Sequence, residues 1–316
     1  MYFGKVNGYD LFSLLLLDCI KDQAEFILNI NIFIICHLNV PSKVLFFNYF
    51  ASSLLSNRFY LYFYKTANIF DILLQTVIKY YTMEYFPLHL STLNSTNSYA
   101  RQLLRDEKVK ENTVISTDYQ DNGRGQGENR WMSEKGMNLL MSWILYPAFL
   151  TVSDQFMLSK AVSLGIIDTL EELGLEVQIK WPNDIICDSR KLGGILIENS
   201  IQGEQLKNSI IGIGLNVNQL MFPAFPFPAT SITNETTSLI TVPKVEALLM
   251  LHLLQRYTQL KSGEKEILNS SYLDKLFRRN IVCAFEADGE RFDGEIRGVN
   301  KFGELVVDVS DNSRCF

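Results

Sequence analysis

The sequence predicts an α+β fold, a mixed sheet with helices packed on it, that ends in a small all-β unit. Three observations predict it. Helical and strand patterns alternate from Met83 to about residue 277 without an internal repeat. From Asn280 onward the pattern is all strand. Near Met83 an aromatic-rich stretch gives way to ordinary globular composition. Mixed elements followed by a short β tail read as layered α+β architecture. The expected boundaries are 1–82, an atypical apolar extension, then 83–277, the main domain, and 278–316, the β unit.

Bulk composition narrows the function. The 316 residues are 47% hydrophobic and 20% charged, which excludes disorder throughout, a collagen-like repeat and a small disulfide scaffold. The net charge of −6 excludes a chain built to coat nucleic acid, which needs a basic surface. The five cysteines are odd in number and widely spaced, with no CxxC. They fit a reducing, cytoplasmic compartment better than a disulfide framework or a zinc site. None of His37, His89 and His252 sits at metal-ligand spacing, so neither a His-based metal site nor a Ser-His-Asp hydrolase is expected.

Residues 1–82 hold 18 of the 38 aromatic side chains but only two glycines and one proline. Turns are therefore hard to place. The best apolar window, about 24–40, is shorter than the roughly 20 residues a membrane span needs and has asparagines at its centre. No basic start or cleavage site marks a signal peptide. The composition resembles translated AT-rich DNA, and Met83 is the expected natural start. A membrane-associated segment and a folded extension are the alternatives.

Beyond Met83 the elements follow in order. Asn94-Ser95-Thr96-Asn97 is a helix N-cap cluster, and the helix runs from Ser98 to Arg105. Thr113 to Tyr119 alternates and is β-branched, hence a strand. Residues 121–130 form a Gly-rich loop. Residues 137–145 alternate as a strand with one face buried, ended by Pro147. Ser153 to Leu173 is a long helix closed by Gly174. Strands at 177–181, 185–187 and 192–198 surround a turn at Asp188-Ser189-Arg190, and Ser209 to Val217 is a buried strand. Residues 221–230 are a stiff Pro/Phe-rich loop. Lys244 to Leu260 is helical behind Pro243. Turns in the β tail are expected at Asp288-Gly289, Asp293-Gly294 and Phe302-Gly303.

Three constellations can carry chemistry. In Gly123-Arg124-Gly125-Gln126-Gly127, glycines let backbone N–H groups approach an anion, and Arg124 adds a planar fork of donors. An ordinary surface loop has the same composition. In Lys180-Trp181-Pro182-Asn183-Asp184, Lys180 ends an apolar strand, where an inward lysine needs an anionic partner. An outward lysine before a turn needs none. Gly212-Ile213-Gly214-Leu215-Asn216 lacks the third glycine of a dinucleotide fingerprint. It is a strand passing close to a ligand, or a strand packed in the core.

Taken in order, Ser95-Thr96-Asn97, Gln120 with the GRGQG loop and Trp131, KWPND, Arg190-Lys191-Leu192-Gly193-Gly194-Ile195-Leu196 and GIGLNVN resemble the biotin–protein ligase family, over about residues 94–217. The resemblance implies a class II aminoacyl-tRNA-synthetase/biotin-ligase-like mixed sheet and a C-terminal SH3-like β-barrel, incomplete here because the chain stops at Arg314-Cys315-Phe316. It implies ATP-dependent conversion of biotin to biotinyl-5′-AMP, then transfer to a lysine of a biotin carboxyl carrier protein or carboxylase carrier domain. Mg²⁺ would come with ATP, with no dedicated protein ligands. Lys180 and Arg124 would stabilise the reacting anions, and Asp184 would orient the incoming amine. Biotin would lie on Ser95, Thr96, Asn97, Gln120, Arg124, Gly125, Gln126, Lys180, Gly212 and Gly214. ATP would meet Arg124, Trp131 and Asn216.

Gln126 and Gly127 stand where relatives commonly carry basic residues. Residues 1–82 show no helix-turn-helix, so the chain reads as the monofunctional type, with no nucleic-acid partner and no membrane anchor. A homodimer is left open. The rival readings are a lipoate or octanoyl–protein ligase, which shares the fold, and an inactive or membrane-tethered binding relative. The loop's lack of a histidine and of a Gly-Gly pair speaks against the first rival.

Overall fold

The computed structural model describes residues 5–6, 9–10, 85–106, 109–287, 289–310 and 312–316. The expectations for the extension and for Met83 lie outside the described residues, apart from a short antiparallel pair, β1 (Lys5–Val6) and β2 (Tyr9–Asp10), in a unit covering residues 1–77. The second unit covers residues 78–316.

That second unit is built on a seven-stranded sheet. Its strands are β3 (Phe86–Leu90), β4 (Thr113–Thr117), β5 (Asn138–Leu145), β6 (Val177–Lys180), β7 (Asp184–Cys187), β8 (Arg190–Gln202) and β9 (Gln205–Asn216), in the order β3-β4-β5-β9-β8-β7-β6. Only β3 and β4 run parallel; the other pairs are antiparallel. Helix α1 (Thr96–Asp106) covers one face, through Ala100 against Ile115, Ile144 and Ile210. Helices α2 (Phe156–Glu172) and α4 (Val242–Lys261) cover the other, sharing a core with Met141, Trp143, Ile211 and Ile213. The short α3 (Ile232–Thr236) starts at Ser231, whose hydroxyl accepts from the Asn234 N–H. Helix α5 (Lys265–Asp274) follows α4.

Central β5 is buried along its whole length, not on one face as its alternation suggests. Its polar residues are sheltered by bonds to distant partners: Ser142 Oγ donates to Asn97 Oδ1 at 2.6 Å, and Asn138 Nδ2 to Gln219 Oε1 at 2.6 Å. Helix α2 ends as expected. Gly174 takes φ 83°, its N–H donates to the Glu171 carbonyl, and the Leu175 N–H reaches back to Leu170, the Schellman arrangement. Gly165 lets α4 approach, since a Cβ there would stand 3.0–3.1 Å from Leu253.

The C-terminal unit is a four-stranded antiparallel meander, β10 (Val282–Ala287), β11 (Glu290–Val299), β12 (Leu305–Val309) and β13 (Asn312–Cys315). Among the described residues it is a small antiparallel sheet with β10 and β13 at its two edges. Gly289 and Gly303 turn with φ 78° and 93°. The turn expected at Asp293-Gly294 lies instead inside β11. Gly294 is there for space, because a Cβ would stand 2.6 Å from Val307 Cγ1. The sheet is fastened to the main body at Trp181, whose Nε1 donates to the Gly303 carbonyl at 2.8 Å.

Candidate active site

A cavity forms where glycines share one face of the sheet. Side chains alternate along a strand. Ile195, Ile211 and Ile213 point into the α2/α4 core, so Gly194, Gly212 and Gly214 fall on the α1 face, with Gly194 opposite Gly214 and Gly212 opposite Leu196. The cavity above them measures about 280 Å³. The glycines make room for the chain's own side chains. A Cβ on Gly212 would collide with Asn97 Oδ1, and one on Gly214 would stand 2.5–2.8 Å from the Trp131 ring.

The Gly-rich segment is a small hairpin. Arg124 and Arg130 bridge in antiparallel fashion, the Gly125 N–H donates to the Asn129 carbonyl at 2.8 Å, and the Trp131 N–H to the Gly123 carbonyl at 2.9 Å. Gly127 turns it, with φ 62°. The hairpin lays Trp131 on the glycine floor and brings Arg124, Gly125 and Gln126 to the cavity wall. Trp131 Nε1 is buried and has no hydrogen-bond partner among the described residues, a donor left for an incoming acceptor.

At one end lies a neutral polar shelf of Ser95, Thr96 and Gln120. Gln120 Oε1 accepts from the Thr96 N–H at 2.8 Å and from Thr96 Oγ1 at 3.2 Å. Its amide nitrogen remains as a donor. Asn97 also reaches the wall, but both amide hydrogens are spent inside the protein: Nδ2 donates to Glu198 Oε2 at 2.9 Å and to the Leu196 carbonyl at 3.3 Å. It braces the shelf from beneath.

At the other end, Asp184 lines the cavity together with a lysine that is not Lys180. Lys191 Nζ lies 2.6 Å from Asp184 Oδ1 and 5.7 Å from the Trp131 ring centroid. Lys180 lies outside the lining, its Nζ 5.1 Å over the Phe227 ring. The hairpin explains the exchange. Asp188 and Ser189 both take positive φ, 44° and 59°, a two-residue turn. It folds Lys191 back beside Ile186, within reach of Asp184. The turn alone does not single out Lys191; the bulged register of β7 against β8 and the cover of Lys180 by Phe227 do. Asn216 lies outside the lining too. It is buried, and its Nδ2 donates to the Thr230 carbonyl at 2.8 Å, tying the 228–230 segment down where the Thr230 N–H clips onto Lys191. Behind the site, burial and Glu235 push the Cys187 thiol up to about 11, leaving it protonated and inert.

Residues 90–216 match the model of the "Biotin/lipoate A/B protein ligase family". The chain is 37% identical over 134 residues to the "Bifunctional ligase/repressor BirA" of Bacillus subtilis, covering 42% of this chain and 40% of that protein. It thus spans less than half of that relative's length. It is 28% identical over 224 residues to the protein of that name from Escherichia coli, covering 69% and 68%. A solved "Biotin protein ligase from Aquifex aeolicus in complex with biotin and ATP" shares the fold, with TM-score 0.63, 22% identity and coverage of 73% of this chain and 95% of that one. The motif order, the glycine-floored cavity and these matches agree: residues 90–216 are similar to the biotin/lipoate A/B protein ligase family, and the chain is similar to the bifunctional ligase/repressors named above.

Proposed function

We propose that this chain is a biotin–protein ligase. The single observation that carries the reading is the polarity of the cavity from end to end. A neutral donor–acceptor shelf lies at Thr96 and Gln120, a cation at Lys191, and an indole on a glycine floor between flanking strands. A ureido ring matches the shelf, since it presents N–H donors and a carbonyl acceptor. A dithiolane or a plain acyl chain would leave those polar groups desolvated and unpaired, which is costly. This favours biotin over lipoate or octanoate.

In the proposed reaction a carboxylate oxygen attacks the α-phosphorus of ATP, the bond to the β-phosphate oxygen breaks, and pyrophosphate leaves. The ε-amine of a carrier-domain lysine then attacks the acyl carbon of the mixed anhydride. AMP leaves, the amine gives up a proton, and an amide remains. Lys191 and Arg124 bring two anions together and stabilise charge on the oxygens between them. Asp184 holds Lys191 in place and lies where the incoming amine would arrive. Trp131 offers its face to the purine and its Nε1 to an acceptor. Among the described residues no group of three or more His, Cys, Asp and Glu side chains is placed to hold a metal ion; Mg²⁺ would arrive on the triphosphate as part of that substrate. The protein partner is a biotin carboxyl carrier protein or carrier domain. Among the described residues no helix is long and apolar enough to cross a membrane.

The test is pyrophosphate release by the full chain with biotin, lipoate or octanoate, followed by transfer of labelled acid to a purified carrier domain. Release and transfer with biotin alone, lost in Lys191→Ala, is the expected result. Release with lipoate in place of biotin, or with neither acid from a folded protein, overturns the reading.

A further inference from the structure

Glu198 lies on β8, two residues beyond Leu196 and four beyond Gly194, so it shares their face of the sheet. Its carboxylate gathers donors from two separate elements, helix α1 and the Gly-rich hairpin. Oε2 accepts from Asn97 Nδ2 at 2.9 Å, and Oε1 accepts from Arg101 Nη2, both on α1. Oε1 also accepts from Arg124 Nη1 of the Gly-rich hairpin, at 3.0 Å. We propose that Glu198 is a positioning residue, holding Arg124 and with it the hairpin over the cavity. The functional consequence rests on the ligase reading above.

An exposed ion pair alone contributes little, because two long side chains must be ordered to make it. Here the carboxylate is already ordered. Asn97 is 3% exposed, and its own oxygen is fixed by Ser142 from β5. Arg124 therefore meets an acceptor whose place is set by β5 and α1, and only the arginine must be ordered. The second arginine matters for charge. Two guanidiniums share one carboxylate, so the spot keeps a net positive charge. Arg124 is held in place without being neutralised toward an anionic ligand. Gln126 and Gly127 follow Arg124 in the hairpin, so the loop has few cations of its own to guide it onto an anion. The sheet supplies the guidance instead.

The experiment is a double-mutant cycle in the full chain, with wild type, Glu198→Gln, Arg124→Ala and the double variant, each checked for thermal unfolding. Tryptic cleavage after Arg130 is timed by mass spectrometry without any ligand, and KM for ATP is measured by pyrophosphate release at saturating biotin. Each single variant should speed cleavage about tenfold, the scale of coupling between contacting charged residues. The double variant should be no faster than Arg124→Ala. Glu198→Gln should raise KM for ATP about tenfold with kcat within about twofold, and add nothing when Arg124 is already alanine. Glu198→Asp, which keeps the charge, should restore part of the protection and stands in if the glutamine variant does not fold. Equal effects of Glu198→Gln in both backgrounds mean a merely structural role and overturn the proposal, as does an unchanged cleavage rate. The expected cleavage pattern in a chain that makes no adenylate would leave the positioning intact and refute the ligase reading instead.

Discussion

Replacing Gly214 by alanine tests the glycine floor directly. The added methyl would stand 2.5, 2.7 and 2.8 Å from three atoms of the Trp131 ring, where ordinary carbon contacts lie near 3.5 Å or more. Something must move by about 1 Å. Strand β9 is bonded on both sides, to β5 and β8, so it is the more rigid partner. The 123–131 hairpin is held by few bonds and is the part that yields. Overpacking of this kind costs about 1–3 kcal/mol, and here the indole escapes it by leaving the floor. The expected result is a KM for ATP raised about 10- to 100-fold, equivalent to about 1.4–2.8 kcal/mol, with Tm lowered by less than about 2 °C. Gly203 is the control. It turns the β8–β9 hairpin with φ 63° and has open space at its Cβ position, so alanine there meets only backbone strain of about 1–2 kcal/mol. Gly203→Ala should lower Tm by about 2–6 °C and leave KM unchanged. Pyrophosphate-release kinetics and calorimetry on the two variants should therefore cross. A Gly214→Ala enzyme with wild-type KM refutes the role given to the floor.

Three further outcomes follow from the same geometry. Lys191→Ala should reduce kcat/KM about 100- to 1,000-fold, the loss of one electrostatic stabiliser, and Lys180→Ala at least tenfold less; equal losses would contradict the placement of Lys180 over Phe227. Glu246→Gln should raise Tm at neutral pH, because burial holds that carboxyl above its ordinary range near 4.5, against the hydrogen bond from Ser116 and the nearby His89. A raised folded-state value gives stability that is fully present below the unfolded value and lost as pH rises through the folded one. The glutamine advantage should therefore vanish in melts below about pH 4.5, and an advantage that persists there would contradict the cause. Trp181→Phe should strand the Gly303 carbonyl and destabilise by about 1–2 kcal/mol, seen as faster proteolysis between β10 and β13; unchanged proteolysis would mean the indole bond does not fasten the C-terminal sheet.

What the sequence made readable were features set by near neighbours. The end of α2 at Gly174 and the start of α4 behind Pro243 depend on local backbone rules, and both stand where those rules put them. The strands around GIGLN and KLGGIL follow from β-branched runs. Features set by distant partners were not readable. Ser142 and Asn138 look like an exposed face of β5 until Asn97, 45 residues away, and Gln219, 81 residues away, supply their hydrogen bonds. Gly294 looks like a turn residue until β12 brings Val307 against it. Lys180 and Lys191 flank the same hairpin with similar local claims. Only the register of β7 against β8 and the aromatic cover from Phe227 decide which one faces the cavity.

The same register bears on how a cavity proposed to take anions can belong to a chain of net charge −6. Each of the two cations assigned to ligand anions already has a carboxylate: Lys191 has Asp184 and Arg124 has Glu198. Unpaired, they would be costly to desolvate and would capture any small anion. Paired, they are pre-positioned, and an anion must offer more than charge to compete. A ligand that fills the polar shelf, the glycine floor and the indole Nε1 at once can do so; free phosphate or acetate cannot. Specificity is a difference between affinities, and here Asp184, paired one-to-one with Lys191, lowers the affinity for the wrong anion while the rest of the cavity raises it for the right one. Asp184→Asn should therefore weaken discrimination more than it weakens binding. Inorganic phosphate should inhibit that variant at concentrations that leave the wild type unaffected, and equal inhibition of the two would show that Asp184 holds Lys191 without screening it.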